Sequence, residues 1–286
     1  MVHLVMLLHS AISAGTYLAA KRLLDELPPW EVALARFTLA GLVFGAILWR
    51  RRVRIPRKDL LGLAALGFVA VPLNQGFFLA GLALSTPGHA ALLYALTPIF
   101  VFLIARLRLG ERATALKVGG IAVAFAGVLV VLGARGAVSL GGSSRMLAGD
   151  LLILLAVIAW AIFAVGGKVY AERHGAVVAT AAAVVMGTLL YLPVGLALSD
   201  LDRFTRLTPL GWASLGYLVV LTSVVAYLLY YWALSRAQAS RVAIWSNLQP
   251  VLTALLAWAA YGERLSGPFL AGGAMVLAGV ILTERG

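Results

Sequence analysis

The functional side chains of this sequence interrupt long apolar runs, and most of them carry hydroxyl, amide or aromatic groups. Polar groups inside a membrane-spanning helix are costly and usually face the protein interior, so we expect these residues to line a central cavity. In the first half of the chain they are His9, Ser13, Tyr17, Asn74, Gln75, Phe78, Tyr94 and Thr97. In the second half they are Trp160, Phe163, Tyr227, Tyr230, Ser246, Asn247 and Gln249.

These side chains suit the non-covalent binding of a solute. Trp160 and Phe163 are three residues apart and share one helix face. Aromatic rings there favour a flat, partly apolar solute. Amides such as Asn74 and Asn247 have a second interpretation, in which they tie helices together instead of holding solute. Spacing alone leaves both interpretations open.

Catalytic and metal chemistry have little support in the sequence. The absence of cysteine excludes thiolate nucleophiles, disulfides, thiolate zinc sites and iron–sulfur clusters. The four histidines, His3, His9, His89 and His174, fall in separate segments without metal-ligand spacing. No paired nucleophile and base is apparent at membrane depth. We therefore expect a protein that is not an enzyme and that uses no cofactor or metal.

The eleven acidic residues lie in turns, in tails or at the beginnings of apolar runs. A proton-coupled exporter of cationic drugs generally needs a carboxylate within the membrane. Its absence favours neutral or zwitterionic cargo. Proton coupling through His9 and facilitated diffusion both remain open.

Composition places the chain in a membrane. Of its 286 residues 62% are hydrophobic and 12% charged, and the mean hydropathy is +0.99. Globular proteins carry about 25% charged residues, so this chain lacks the material for a water-facing surface. The net charge of +12 is compatible with nucleic-acid binding, but the cations lie between apolar runs and form no basic face. We expect lipid as a partner and no nucleic acid.

Ten apolar segments of spanning length are separated by short connections, and they must be helices because hydrocarbon offers no partner for an unpaired amide. They cover about residues 3–21, 31–49, 60–82, 87–106, 115–132, 148–168, 176–198, 209–234, 240–260 and 267–283. Placing the N-terminus inside puts most of the 23 Lys and Arg residues in inner connections. The positive-inside rule therefore predicts that both termini are cytoplasmic.

The two halves of the chain share a pattern. TPIFVFLIARLRLGERATALKVGGIAVAFAGV covers 97–128, and QPVLTALLAWAAYGERLSGPFLAGGAMVLAGV covers 249–280, at a constant offset of 152 residues. The offset pairs Pro98 with Pro250, Gly110 with Gly262, Glu111 with Glu263, Gly120 with Gly272 and Gly127 with Gly279. Because five spans are an odd number, the second copy (135–286) is predicted to be inverted relative to the first (1–134), as in many transporters.

The duplicated proline, apolar helix and Leu-Gly-Glu-Arg or Tyr-Gly-Glu-Arg turn resemble the EamA-type transporters of the drug/metabolite transporter superfamily. Within it the whole chain is most similar to the YddG-type exporters of aromatic and other amino acids. The resemblance implies an inner-membrane transporter that exports neutral amino acids and related small metabolites by alternating access through a central cavity. Broad-specificity efflux of drugs or toxic compounds is the alternative.

Further recurring residues have structural interpretations. Pro98 and Pro250 are expected well inside spans, as hinges of a moving bundle or as static kinks. Glu111 and Glu263 are expected to lock turns between consecutive spans. The paired glycines are expected to pack the fifth span against the tenth, which favours a monomer over a dimer. Lys21, Lys168 and Arg36 are expected to snorkel towards the membrane surface.

Overall fold

The computed structural model describes residues 1–134, 144–252, 255 and 267–286. Within these ranges the chain is helical, with short turns and no strand. Seven helical stretches there are long and apolar enough to cross a membrane: Val2–Leu24, Pro29–Arg50, Arg57–Leu84, His89–Leu109, Ser144–His174, Ala176–Leu198 and Pro209–Leu234. A shorter apolar helix covers Ala115–Val131. The architecture is all-α and crosses the membrane several times.

The first half of the chain forms helices α1 to α7. Their bounds are α1 Val2–Leu24, α2 Pro29–Arg50, α3 Arg57–Phe68, α4 Gly76–Leu84, α5 Pro87–Tyr94, α6 Thr97–Leu109 and α7 Ala115–Ala134. A π-helical segment, Val69–Gln75, joins α3 to α4. Such wide turns are frequent at functional sites, and this one ends at Gln75, a predicted cavity residue.

Within the described residues, the second half of the chain forms helices α8 to α14. Its helices are α8 Ser144–His174, α9 Ala176–Leu198, α10 Pro209–Gly216, α11 Tyr227–Leu234, α12 Ala239–Ala243, α13 at 248–252 and α14 Gly267–Arg285. A second π-helical segment, Tyr217–Ala226, joins α10 to α11, and 3₁₀ segments cover Leu201–Arg206 and Ile244–Asn247. The predicted ninth span is described only in part, and the second Gly-Glu-Arg turn with Glu263 lies outside the described residues.

Several helices begin in the same way. Pro29, Pro87 and Pro209 each occupy the first helical position, where proline loses no intrahelical hydrogen bond. Thr86 and Thr208 precede two of them, and each hydroxyl accepts a hydrogen bond from the backbone N–H three residues further on. These caps satisfy amides that would otherwise be unpaired at a helix start.

Pro98 lies near the middle of the spanning stretch His89–Leu109, as expected, but it does not kink a continuous helix. The fourth span is interrupted at 95–96, and Pro98 is the second residue of the helix that restarts at Thr97. Proline is tolerated in a first helical turn because no backbone hydrogen bond is lost there. Pro250 lies in α13, which starts directly after the 3₁₀ segment Ile244–Asn247. Each proline therefore follows a break in its span.

Glu111 joins the two halves of the chain. Its carboxylate accepts hydrogen bonds from the backbone N–H of Ala239, at 2.6 Å, and from the hydroxyl of Ser240. It thereby caps the beginning of α12, where a helix dipole favours negative charge. Lys117 Nζ lies 3.6 Å from the same carboxylate. Glu111 therefore holds α12 and does not simply lock the turn between α6 and α7.

Lys21 and Lys168, which are expected to snorkel, cap the carbonyl ends of helices. Lys21 Nζ donates to the carbonyls of Leu82 and Ser85 at 3.0 and 3.1 Å, at the end of α4. Lys168 Nζ donates at 2.6 Å to the carbonyl of Leu234, the last residue of α11, and at 2.7 Å to a second carbonyl three residues further on. The last carbonyls of a helix lack intrahelical partners, and cations there also oppose the helix dipole.

Helices α7 and α14 pack through glycine, as the sequence predicts. A Cβ added to Gly127 would lie 2.7 Å from the carbonyl oxygen of Gly272, and one added to Gly120 would lie 2.7 Å from that of Gly279. The backbones touch because no side chain separates them, which is how membrane helices gain packing contacts. The glycine-containing faces of α7 and α14 are therefore buried against each other within one chain.

Candidate functional site

A cavity of about 70 Å³ lies where helices from both halves of the chain meet. Its wall combines residues of α1, α2, α4, α5, α8, α11 and α13 with the two π-helical segments and the second 3₁₀ segment. Sites that hold drug-sized ligands are usually ~300–1,000 Å³. In this conformation the cavity therefore holds a small group or a few waters, and a larger solute must move the surrounding helices apart.

The sequence predicts most of this wall. Ten predicted residues line it: His9, Ser13, Tyr17, Gln75, Phe78, Tyr94, Trp160, Tyr227, Ser246 and Gln249. The other lining residues, which the prediction missed, are Thr16, Arg36, Thr222 and Ala226. The two threonines were detectable from the sequence as further hydroxyl groups within apolar runs. Alanine has no polar or aromatic group, so nothing in the sequence marks Ala226 as a lining residue.

The remaining five predicted residues, Asn74, Thr97, Phe163, Tyr230 and Asn247, are buried behind the wall. Asn74 Nδ2 donates to the carbonyl of Ala156 at 2.7 Å, so this amide ties the first π-helical segment to α8. Phe163 packs against Trp160 and Tyr231 with ring centroids 5.6 and 5.1 Å apart. These positions support the wall because their helix faces point away from the cavity.

Three of the five have no hydrogen-bond partner among the residues that the structure describes. They are the hydroxyls of Thr97 and Tyr230 and the side-chain amide of Asn247. Buried polar groups are usually paired. Thr97 and Asn247 lie beside the breaks in the fourth and ninth spans, and Tyr230 of α11 packs against Trp160 of the cavity wall.

Arg36 is the main residue that the sequence interpretation misplaced. Its side chain is 1% exposed and points into the cavity wall instead of snorkelling. Nε donates to the hydroxyl of Ser223 and one terminal nitrogen donates to Gln75 Oε1, both at 2.7 Å. The guanidinium also lies 4.9 Å from the ring centre of Phe37. The sequence signal for Arg36 was a lone cation inside an apolar run. The direction of its side chain, however, depends on the rotation of α2 about its own axis, and only packing sets that rotation.

Hydrogen bonds across the cavity connect the two halves. The Tyr17 hydroxyl donates to Gln249 Oε1 at 2.8 Å. The hydroxyls of Thr16 and Thr222 lie 3.0 Å apart. His9 Nδ1 lies 3.1 Å from the carbonyl oxygen of Ala226, so this ring nitrogen carries the proton in the neutral side chain. A solute that separates the halves must replace these bonds.

Aromatic rings form two sides of the cavity. Trp160 contacts Tyr227 and Tyr230 with centroid distances of 5.3 and 5.2 Å. Tyr17 and Tyr94, 5.9 Å apart, form the other side with Phe78. The inclined and edge-to-face geometries are those that aromatic pairs prefer. The wall is thus rigid and apolar between its polar groups.

The electrostatics of the wall are unusual for a membrane interior. Among the described residues the cavity contains one permanently charged group, Arg36, and no Asp or Glu. Glu31, on the same helix, accepts instead from the backbone N–H of Asp200 at 3.0 Å and lies 3.7 Å from Arg203 Nε. In the same ranges no cluster of three or more His, Cys, Asp or Glu has metal-site geometry.

The two ends of the bundle differ. At the end where α5 begins, Asp150 accepts from the Ser85 hydroxyl at 2.5 Å and lies 2.8 Å from His89 Nδ1, which fastens α8 to α5. At the opposite end a vestibule of about 990 Å³ is lined by residues that include Glu111 and Arg241. Among the described residues, side-chain bonds join α8 to α5 at one end and a large vestibule lies at the other.

Comparison with known proteins identifies the family. The model of the EamA-like transporter family matches residues 1–133 and 147–285. This chain belongs to that family. An uncharacterized transporter of Archaeoglobus fulgidus is 32% identical over 98% of this chain and 96% of its own. The uncharacterized inner membrane transporter YedA of Escherichia coli is 29% identical, over 95% and 87% of the two chains.

One further relative has a more specific description. The probable terminal-alkyne amino-acid exporter of Streptantibioticus cattleyicolor is 28% identical over 89% of this chain and 83% of its own. A crystal structure superposes with a TM-score of 0.77 over 98% of this chain and 96% of the other. Its sequence identity is 22%, so this likeness shows the fold alone. This EamA-like chain is therefore a multi-pass membrane transporter.

Proposed function

We propose that this protein is an inner-membrane exporter of neutral amino acids, including aromatic ones, and of related small metabolites. The observation that supports this function most directly is the central cavity. Residues from both halves of the chain line it, and they place hydrogen-bonding and aromatic groups at membrane depth. Polar groups in such a place are expensive unless they serve binding or transport. The relative described as a probable terminal-alkyne amino-acid exporter supports the substrate, and the one described as an uncharacterized inner membrane transporter supports the location.

The transport mechanism that we propose is alternating access between two inverted five-helix repeats, 1–134 and 135–286, which form ten spans with both termini cytoplasmic. Three features support this organisation: lysines near the ends of α1 and α8 that cap α4 and α11, π-helical segments in both halves, and a family match to each half. The breaks before Pro98 and Pro250 supply the hinges. At a break, a half-helix tilts without stretching continuous backbone hydrogen bonds.

The described conformation suggests the order of events. Solute enters from the vestibule, displaces the Tyr17–Gln249 hydrogen bond and packs between the aromatic sides. Opening of the far end then requires separation of Asp150 from His89 and Ser85. The solute interacts with both halves at once, and the difference between its affinities for the two conformations determines how far the population shifts.

Efflux of diverse drugs is the second candidate, because an aromatic wall is permissive towards apolar solutes. The experiment that separates the two is counterflow in proteoliposomes loaded with phenylalanine, threonine or a cationic dye, with and without a pH gradient. Phenylalanine and threonine exchange without dye movement supports the proposal. Dye movement alone contradicts it. Exchange without a gradient indicates facilitated transport.

The binding residues are tested with a matched pair of variants. Trp160→Ala removes an aromatic side of the cavity, and we expect it to change the substrate range or rate of transport. Trp232→Ala removes a tryptophan outside the cavity wall, whose ring lies 4.1 Å from the Arg236 guanidinium carbon. Equal losses of transport in both variants at equal folded yield would assign Trp160 to structure instead of to binding.

A further inference from the structure

The cavity contains a buried cation without a protein anion. Arg36 lies in the wall, and among the described lining residues there is no carboxylate to balance it. Its hydrogen bonds go to two neutral acceptors, the Ser223 hydroxyl and the Gln75 amide oxygen. A guanidinium carries five N–H donors in a planar fork. These two contacts use two of the five donors and fix the plane of the guanidinium. The remaining donors are left for a ligand.

Burial of this charge is costly for the folded protein. Taking an arginine out of water costs several kcal/mol, and a well-packed apolar residue in its place is often neutral or stabilising. The ring of Phe37 at 4.9 Å returns only about 0.5–2 kcal/mol. Folding alone therefore does not explain a cation at this position, whereas binding of an anion does.

Arg36 also breaks the likeness between the two halves. The lysine caps occur in both halves, at Lys21 and Lys168. Counting from the first residues of α2 and α9, the position equivalent to Arg36 is Ala183. The lysines that support the helix bundle thus occur in both halves of the chain, whereas the cation Arg36 occurs in the first half only and faces the cavity. A single asymmetric charge suits recognition of one end of a solute.

We propose that Arg36 is the counter-ion for a carboxylate of the solute, so that the carboxylate is the recognised group and an amino group is dispensable. Guanidinium and carboxylate form two parallel charge-assisted hydrogen bonds. The aromatic rings of Tyr94, Trp160 and Tyr227 then accept the apolar body. This inference rests on the proposed transport site, and it widens the cargo from amino acids to aryl and alkyl monocarboxylates.

The same geometry excludes cationic amphiphiles. A ligand ammonium in the cavity meets the like charge of Arg36, and the described wall offers it no carboxylate in compensation. Like charges brought together at low dielectric repel strongly. Specificity is a difference between affinities, and a repulsive element contributes to it as much as an attractive one. Arg36 therefore also argues against the drug-efflux alternative.

The test is equilibrium binding to the detergent-solubilised full chain by calorimetry. The probes are 3-phenylpropionate, its neutral isostere 3-phenylpropionamide, and phenethylamine, which has the aromatic body with an ammonium in place of the carboxylate. We expect the wild-type protein to prefer 3-phenylpropionate over the amide by at least tenfold and to bind phenethylamine more weakly than either. No preference, binding of none of the three probes, or preference for the amine overturns the proposal.

Variants assign the preference to one residue. Arg36→Gln should reduce the carboxylate-to-amide preference at least tenfold, mainly by weakening 3-phenylpropionate, and Arg36→Lys should retain part of it through the charge without the fork. Arg51→Gln removes an exposed cation elsewhere and should leave the preference unchanged. If Arg36→Gln does not fold, the comparison of Arg36→Lys with wild type decides, and an undiminished preference in Arg36→Lys overturns the proposal.

Transport separates this inference from the proposed function. Proteoliposomes containing wild-type protein are assayed with radiolabelled phenylalanine and 3-phenylpropionate. Arg36-dependent carboxylate binding without phenylalanine movement contradicts amino-acid export and leaves the carboxylate site supported. Phenylalanine export by a protein that binds the amide and the carboxylate equally supports export and contradicts the role of Arg36.

Discussion

The hydroxyl of Tyr17 donates to Gln249 Oε1 at 2.8 Å across the central cavity. Tyr17 is on α1 and Gln249 is the second residue of α13, just after the break in the ninth span. This bond therefore joins the two halves of the chain in the wall of the cavity. A bond in this position stabilises the contracted cavity. Its removal should affect stability and transport together.

We therefore expect Tyr17→Phe to lower the free energy of unfolding by about 1–2 kcal/mol, because a buried amide oxygen loses its donor, and to alter the rate of counterflow. Tyr191→Phe is the matched control, since Tyr191 donates at 3.0 Å to the Trp30 carbonyl away from the cavity. Thermal unfolding in detergent and proteoliposome exchange measure both effects. A normal exchange rate in Tyr17→Phe would contradict a gating role for this bond.

The lysine caps should matter more for stability than the ion pair beside one of them. Lys168→Met removes two hydrogen bonds to the end of α11, and we expect a loss of about 1–3 kcal/mol. Glu172→Gln removes only the partly exposed partner of Lys168, at 2.7 Å, and should cost less than about 0.5 kcal/mol. Lys58→Met, at an exposed lysine, is the neutral reference. Equal effects in the first two would mean that the ion pair is the stabilising contact.

Glu111→Gln should reduce folded yield more than it reduces transport per folded molecule. The carboxylate caps α12 through the Ala239 amide and the Ser240 hydroxyl, and loss of its charge there should cost about 1–2 kcal/mol. Size-exclusion chromatography measures yield, and exchange per reconstituted molecule measures activity. Fully folded protein without transport would instead assign a proton-carrying or gating role to Glu111.

The contact between α7 and α14 allows a comparison of two glycines of α7, one inside the contact and one outside it. Gly127→Ala places a Cβ 2.7 Å from the Gly272 carbonyl oxygen, and we expect destabilisation by about 1–3 kcal/mol through overpacking. At Gly119 an added Cβ meets nothing within 4 Å. Gly119→Ala should be neutral or should stabilise the helix by up to about 1 kcal/mol. Unfolding curves that rank the two variants the other way would refute this packing.

The connection near Glu26 should contribute to stability in a pH-dependent way. The Thr208 backbone N–H and hydroxyl donate to the Glu26 carboxylate at 2.9 and 2.7 Å. These bonds, with a smaller contribution from Arg22, lower the pKa of Glu26 below its ordinary value of 4.5. A lowered pKa in the folded state means that the stabilisation is present above pH 4.5 and is lost as the pH falls through the folded-state pKa.

Glu26→Gln should accordingly lower the melting temperature at pH 7 by more than it does at pH 3. The control is Asp202→Gln, at an exposed acid in the connection between α9 and α10 whose side chain forms no described ion pair. A difference between wild type and Glu26→Gln that stays constant from pH 7 to pH 3 would show that the carboxylate charge is not involved.

Much of the site could be predicted from the sequence because membrane depth makes polar residues informative. Ser13, Gln75 and Ser246 interrupt apolar runs, and they line the cavity. Asn74 and Asn247 interrupt such runs in the same way but lie behind the wall. Which polar residue faces the cavity depends on helix rotation, and the two π-helical segments shift that rotation within a span.

The sequence by itself determined that the chain is a helical membrane protein, that it resembles EamA-type transporters and that its fifth span packs on glycine faces. Those conclusions depend on composition, spacing and residue size, which are local properties. Only the tertiary structure decided that Arg36 faces the cavity, that Lys21 and Lys168 cap helices, and that Glu111 holds the other half of the chain. Each of those contacts joins residues on different helices, and the free energy that fixes their direction comes from burial and pairing that exist only after the helices have packed.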